Sequence, residues 1–306
     1  MYRYPVEAHA EGMKYTLPTL LSLAAVAVLP AAASAAPLAT EPHAGRVSTS
    51  GDAIAWSSYA DGAYKLILDQ GGTIAAASAA TSRTPFDVDL GTAKDGKLLA
   101  VYSRAGKLYR YDVAAGAETS LGLRGTEPTI ADGRLAYVAR TYGRDTLYLR
   151  SGGKTKAVFS APEITGPQLS SDRLAFVTNN APTKLLQTET LRVQTLAGKP
   201  KAIYDARSGG ANSADIVGPA FDASGKHLFW ARRNLGSGSG NRYVRYTFAS
   251  HKTAYAIGSD QNYSVSYLDA TSGFAVARIA GDDDASAPGG PVIIDTTGAL
   301  TFNARP

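Results

Sequence analysis

Residues 127–160 read EPTIADGRLAYVARTYGRDTLYLRSGGKTKAVFS. A short apolar run near Thr129–Ala131 meets the pair Asp132-Gly133. Leu135–Arg140 alternates apolar and small residues up to a polar loop. Thr146–Arg150 runs into Gly152-Gly153, and Thr155–Phe159 follows. Asp-Gly and Gly-Gly pairs suit two-residue hairpins, where the backbone takes positive φ. The β-branched and aromatic runs between them suit a pleated, packed surface. The stretch therefore predicts four short antiparallel strands joined by tight turns.

The same signature recurs along the chain. Gly51-Asp52 precedes AIAWSS, Asp95-Gly96 precedes KLLAVYSR, and Asp132-Gly133 precedes RLAYVAR. Ser171-Asp172 precedes RLAFVTN, Ser224-Gly225 precedes KHLFWARR, and Ser272-Gly273 precedes FAVAR. The turns are spaced by about 44 residues on average, a period that belongs to propeller blades. One four-stranded sheet cannot bury both of its faces, so the units must stack around an axis until the array closes. The expectation is an all-β, six-bladed β-propeller with four antiparallel strands per blade, in preference to a β-sandwich or seven blades. The units fall at 44–83, 84–125, 126–163, 164–209, 210–259 and 260–303, with residues 37–43 available as an outer strand for the last. Nothing after the leader has the caps and length of a helix; Ala75–Ala80 lies between Gly72 and Pro85.

The stretches FDASGKHLFWARR, IADGRLAYVARTYGRDTLYLRSGG and KDGKLLAVYSRAGKLYRYDVAAG resemble the WD40-like repeat of the TolB type. The Trp-Asp ending of true WD40 blades is missing, since Trp56 is followed by Ser and Trp230 by Ala. The resemblance implies a propeller of the cell envelope or exterior that works through protein contacts, and it implies no catalytic residues. No segment resembles the additional N-terminal α/β domain of TolB.

The chain has 306 residues, 44% apolar and 19% charged, with no Cys and a formal net charge of +5. That composition excludes disorder and a disulfide-stapled scaffold. The positive charge is interspersed, without the dense basic stripe of a nucleic-acid binder, so no nucleic-acid partner is expected. Leu17–Leu29 is apolar, preceded by Lys14 and followed by Pro30-Ala31-Ala32-Ala33-Ser34-Ala35, which ends in the small-x-small pattern of a signal-peptidase site. Residues 1–35 are read as a signal peptide, with Met13 as an alternative start that leaves 1–12 upstream of it. Residues 36–306 are read as one exported propeller domain, secreted or extracytoplasmic, with no membrane anchor after processing.

A search for chemistry finds little. The Ser-rich segment Gly236–Gly240 lacks the spacing of a nucleophile elbow and reads as a hairpin tip. His43, His227 and His251 are not at ligand spacing. Asp282-Asp283-Asp284 has the hard oxygen donors that Ca²⁺ prefers, but lacks EF-hand alternation and reads as a solvated loop, so no cofactor is expected. Asp87, Asp89, Asp215, Asp222 and Asn262 share no blade position and are assigned to turn hydrogen bonding.

Four of the second strands end in Arg, at Arg104, Arg140, Arg232 with Arg233, and Arg278. Equivalent strand ends of a propeller gather on one face. Two readings stay open: the guanidinium groups ring one mouth of the channel, or each pairs with an acid of its own blade, such as Asp145. Under the first reading Arg104, Arg140, Tyr142, Arg232, Arg233 and Arg278 contact a partner, helped by the loops 178–189, 233–241 and 280–291. The expected function is non-enzymatic binding of a protein or an anionic glycan. The alternative is a channel-mouth hydrolase or lyase acting on a sugar, lactone or peptide.

Overall fold

A computed structural model describes residues 38–42, 45–180, 187–208, 214–234, 242–257, 263–270, 275–280, 292–295 and 303–304. The proposed signal peptide, the Ser-rich segment and the Asp282–Asp284 loop lie outside them.

The described elements are strands throughout. After β1 (Ala39–Glu41) come β2 (Ser48–Ser50), β3 (Ala53–Ala60), β4 (Ala63–Gln70) and β5 (Thr73–Ala76), then β6 (Asp89–Thr92), β7 (Leu98–Arg104), β8 (Lys107–Asp112) and β9 (Ala117–Arg124). The third group is β10 (Thr126–Ala131), β11 (Arg134–Thr141), β12 (Arg144–Ser151) and β13 (Lys154–Ala161). The fourth is β14 (Glu163–Leu169), β15 (Arg173–Asn179), β16 (Gln187–Thr195) and β17 (Lys201–Ser208). Then follow β18 (Ala214–Phe221), β19 (His227–Asn234), β20 (Arg242–Thr247) and β21 (Lys252–Ile257). The last are β22 (Tyr263–Asp269), β23 (Ala275–Ala280), β24 (Val292–Asp295) and β25 (Asn303–Ala304).

Each group of four consecutive strands forms one antiparallel sheet, giving five blades in chain order. Each innermost strand lies beside the next one: β2 by β6, β6 by β10, β10 by β14, β14 by β18 and β18 by β22. This is a propeller of four-stranded antiparallel blades. The end of the chain departs from expectation. Among the described residues of 260–303, three strands, β22, β23 and β24, join in one sheet, and its fourth strand is β1, from the 37–43 segment expected to add an outer strand there. The terminal β25 pairs with β21 and widens the fifth sheet to five strands. A chain that must close a ring joins its two ends where unpaired edges remain, and here both ends find an edge.

The hairpins explain why the turns were legible. Asp61-Gly62, Asp132-Gly133 and Gly152-Gly153 all take positive φ at both positions, the geometry that matches strand twist. Apolar faces of neighbouring sheets then meet in the seams. Tyr64, Phe86 and Tyr102 pack between the first and second sheets, Phe176 with Leu147 between the third and fourth, and Trp230 with Leu191 between the fourth and fifth.

The innermost strands are irregular for a physical reason. Pro128, Pro167 and Pro219 sit in β10, β14 and β18 where the register shifts. An innermost strand is a sheet edge on its axial side, where a missing N–H breaks no ladder bond. The strands also approach closely: a Cβ added at Gly91 would stand 2.1 Å from the Ile130 carbonyl oxygen. Gly91→Ala is therefore expected to destabilise the fold by roughly 1–3 kcal/mol through overpacking. Urea denaturation checks this, and an unchanged midpoint would refute the close approach.

Candidate functional site

An innermost strand has backbone N–H groups facing the axis that no ladder partner can take, and burial makes each one costly unless something accepts it. Side chains of the preceding sheet do so. Ser48 Oγ accepts from Leu90 N at 2.9 Å, Asp89 Oδ2 from Ile130 N at 2.9 Å, and Thr129 Oγ1 from Leu169 N at 3.0 Å. Asp269 Oδ2 accepts from Thr49 N at 3.0 Å, carrying the pattern from the last sheet to the first. Two residues earlier in sequence, Asp87, just ahead of β6, accepts from Glu127 N, and Glu127 on β10 accepts from Gly166 N. Glu189 on β16 accepts from Ile216 N.

These groups converge on Arg46. Its Nη2 donates to Gln168 Oε1 at 2.7 Å and meets Asp89 Oδ1 at 3.2 Å, and its Nη1 reaches the Pro128 carbonyl at 3.3 Å. Gln168 Nε2 also donates to Asp89 at 3.3 Å, and Ser48 Oγ donates to Asp269 at 2.8 Å. This buried network crosses the axis. On one side of it a mouth of about 530 Å³ is lined by Arg46, Asp87, Glu127, Glu189, Asp215 and the glycines Gly166 and Gly218, among others. On the other a cavity of about 400 Å³ is lined by turn residues such as Gly51, Asp132 and Ser171.

Burial sets the electrostatics. It pushes the Asp89 carboxyl up to about 6; Arg46 pulls it down, and Asp269 adds repulsion. Burial also pushes Glu127 up to about 7, against the Gly166 N–H bond and Arg46, with Asp87 and Asp145 adding repulsion. Asp87 is raised by burial too, opposed by bonds from Glu127 N and Ser103.

Of the expected site residues, Arg104, Arg140, Tyr142 and Arg232 are described, and none of them is in the axial network. Arg104 forks onto Glu118, with Nη1–Oε2 at 2.6 Å and Nη2–Oε1 at 2.8 Å, and lies 4.1 Å over the Tyr109 ring. Arg140 is exposed, with Nε 3.5 Å from Asp145 Oδ1. Both pair within their own sheets. Tyr142 is fully exposed at the β11–β12 turn. Arg232 is half-buried on β19, opposite Ile216 and Arg242. The side chains of Arg233 and Arg278 lie outside the described residues, as do Asn262, Lys184 and most of the three expected contact loops. None of Arg104, Arg140, Tyr142 and Arg232 lines the mouth. Asp87 and Asp89, assigned to turns from the sequence, instead tie one sheet to the next, whereas Asp222 does hold its own turn through Ser224 and His227. Among the described residues no group of three or more His, Cys, Asp or Glu is placed to hold a metal ion.

Sequence reading missed Arg46, Glu127 and Gln168. A signal for two of them was present in TEPTI, TGPQL and VGPAF, where a residue at positive φ precedes Pro on the innermost strand.

No protein-family model and no curated protein matches the chain. Solved structures do. The fold is similar to that of TolB from Acinetobacter baumannii, at 16% identity and a TM-score of 0.50 over 81% of this chain. The chain spans 65% of that TolB chain. It is also similar to a calcium-binding protein, regucalcin, from Agrobacterium tumefaciens, at 17% identity and a TM-score of 0.52, covering 87% of this chain and 95% of that one. These likenesses are of fold, and they agree with the TolB-type repeat in the sequence.

Two outcomes follow for the axial network. Arg46→Ala leaves Asp89 buried without its cation and is expected to cost about 3–5 kcal/mol, measured by urea denaturation; a loss below about 1 kcal/mol would show that Asp89 does not depend on Arg46. The carboxyls of Asp89 and Glu127 hold their protons more tightly folded than unfolded. Their contribution is fully present below the ordinary carboxylate range near pH 4 and is lost as pH rises through about 6 and about 7. The denaturation midpoint should therefore fall between pH 5 and pH 8, and Glu127→Gln should flatten the fall. An equally steep fall in that variant would remove Glu127 as its source.

Proposed function

We propose that the chain is an exported, non-enzymatic, six-bladed propeller that binds a protein partner on the end of the ring carrying the 530 Å³ mouth. In this reading the composite sheet of β1 and β22–β24 serves as the sixth blade. Tyr142 carries the proposal. It takes φ +50° in a two-residue turn with Gly143, at a position that other hairpins give to Asp61, Asp132 or Gly152. A bulky side chain in the left-handed region is strained, and this one is fully exposed, so packing within the chain offers no return for the strain.

Its surroundings support the same use. Tyr59, 40% exposed, is the penultimate residue of β3 at the corresponding hairpin of the first blade, and Arg140 stands two residues from Tyr142. Tyr and Arg concentrate binding energy at protein interfaces. The mouth itself carries Asp87, Glu127, Glu189 and Asp215 against Arg46, so an anionic glycan would meet carboxylates there. A polar or cationic protein surface suits it better. The hydrolase alternative is less well supported, because Asp87, Asp89 and Glu127 each hold a backbone N–H of the next sheet.

Tyr142→Asn tests the reading, since Asn tolerates positive φ. The variant should gain about 1 kcal/mol of stability and lose partner association. A photo-crosslinking residue at position 142 should give a discrete adduct with an envelope protein that the same residue at position 152, at the opposite end, does not give. No adduct at 142, or the same adduct at both, would overturn the proposal.

A further inference from the structure

The seam between the second and third sheets holds the buried Tyr137, stacked on Tyr148 at 5.4 Å, beside a cluster of aliphatic side chains. The adjoining seams hold Phe86, Tyr102 and Tyr111 on one side and Phe159 and Phe176 on the other. At the end away from the acidic mouth, this seam is floored by Leu99, Val101, Ile130 and Leu135, all buried. Aliphatic side chains of this size leave a groove of about 420 Å³, walled by Leu121 and by the turns at Lys94-Asp95 and Ser151–Gly153. Gly133 fixes one wall: at φ +69° its added Cβ would come within 2.8 Å of the Lys94 nitrogen, so the two turns are packed backbone to backbone.

Lys94, Arg110 and Arg150 line this apolar floor. Asp95, the carboxylate in the lining, already faces Lys97 at 3.4 Å. None of the three cations forms an ion pair among the described residues. By contrast, Arg173 pairs with Asp172 at 2.9 Å and covers the Phe248 ring at 4.3 Å, and Arg104 holds Glu118. A concave surface with a greasy floor and cations of one sign focuses its field on an anion that also has an apolar body.

We infer that this groove is a binding site for a small amphipathic anion, a carboxylate or sulfonate carried on an apolar chain. The tail lies on Leu99, Val101, Ile130 and Leu135, and the head faces Lys94, Arg110 and Arg150. The site is at the opposite end of the ring from Tyr142 and stands whether or not a protein binds there.

Titration calorimetry of the full chain with octanoate tests this at low ionic strength, with 1-octanol and acetate as the headless and tailless controls. One octanoate should bind per chain, at least tenfold more tightly than either control. The double variant Arg110→Ser, Arg150→Ser should weaken octanoate at least tenfold with its melting temperature unchanged. Leu121→Trp, which fills the groove and keeps every charge, should do the same and serves if the double variant fails to fold. Equal affinity for octanoate and octanol would overturn the site, as would octanoate binding unaltered in the folded variants. Attachment to phosphatidylglycerol vesicles that octanoate does not displace would also overturn it, because the cations would then be reading a surface.

Discussion

Everything in this propeller depends on how one sheet holds the next. Within a sheet the ladder satisfies the backbone, but the axial edge of each innermost strand carries N–H groups with no strand beside them to accept. The chain meets this with a side-chain oxygen from the preceding sheet, repeated at Ser48, Asp89, Thr129 and Asp269. Hydroxyl and carboxylate serve alike because the donor needs only an acceptor at the right height. The use of carboxylates has an electrostatic consequence: several of them are buried together, so Arg46 is required and protons are held at pH values where exposed carboxylates have lost them.

The outer parts of the blades were legible in the sequence and the inner parts were not. Hairpins announce themselves because Asp132-Gly133 and Gly152-Gly153 are demanded by local twist, and strands such as Leu135–Val138 because their apolar runs fill the seams. Innermost strands follow neither rule. Pro128, Pro167 and Pro219 read as breakers, yet the axial edge tolerates them. The closure was harder still. Pairing of Ala39–Glu41 with Val292–Ile294 joins positions remote in sequence, and Asn303–Ala304 adds to β21, away from the strands that precede it. Residues 37–43 were at least recognisable as a spare strand, whereas nothing local says which edge a two-residue strand will join.

The same division explains what the arginines do. Their recurrence at second-strand ends is real, but position along a strand does not fix what a long side chain meets. Arg104 finds Glu118 on β9, and Arg140 finds Asp145 on the strand beside it, each a partner from its own sheet. The cation that does matter at the axis, Arg46, lies at the start of the first unit, ahead of the turn and strand that make up the repeated signature, and so belonged to no pattern. Its importance comes from convergence of four sheets at one point, through Arg46, Asp89, Pro128 and Gln168, which no spacing within a single repeat can express.

The axial network also separates the chemistry of the two ends. Were the channel open, a cation entering at the mouth and an anion near the far turns would share one aqueous column and partly neutralise each other's field. Arg46, Asp89, Gln168, Ser48 and Asp269 fill the axis with mutually satisfied groups, and Asp89 is wholly buried. Charges on either side then face separate bodies of solvent, and around the rim salt screens exposed charges over roughly 8 Å. A scaffold with such a plug can carry carboxylates around one opening and unpaired Lys94, Arg110 and Arg150 in a seam near the other without either set cancelling the other. The seam bonds that make the ring possible are therefore also what lets its two ends be chemically different.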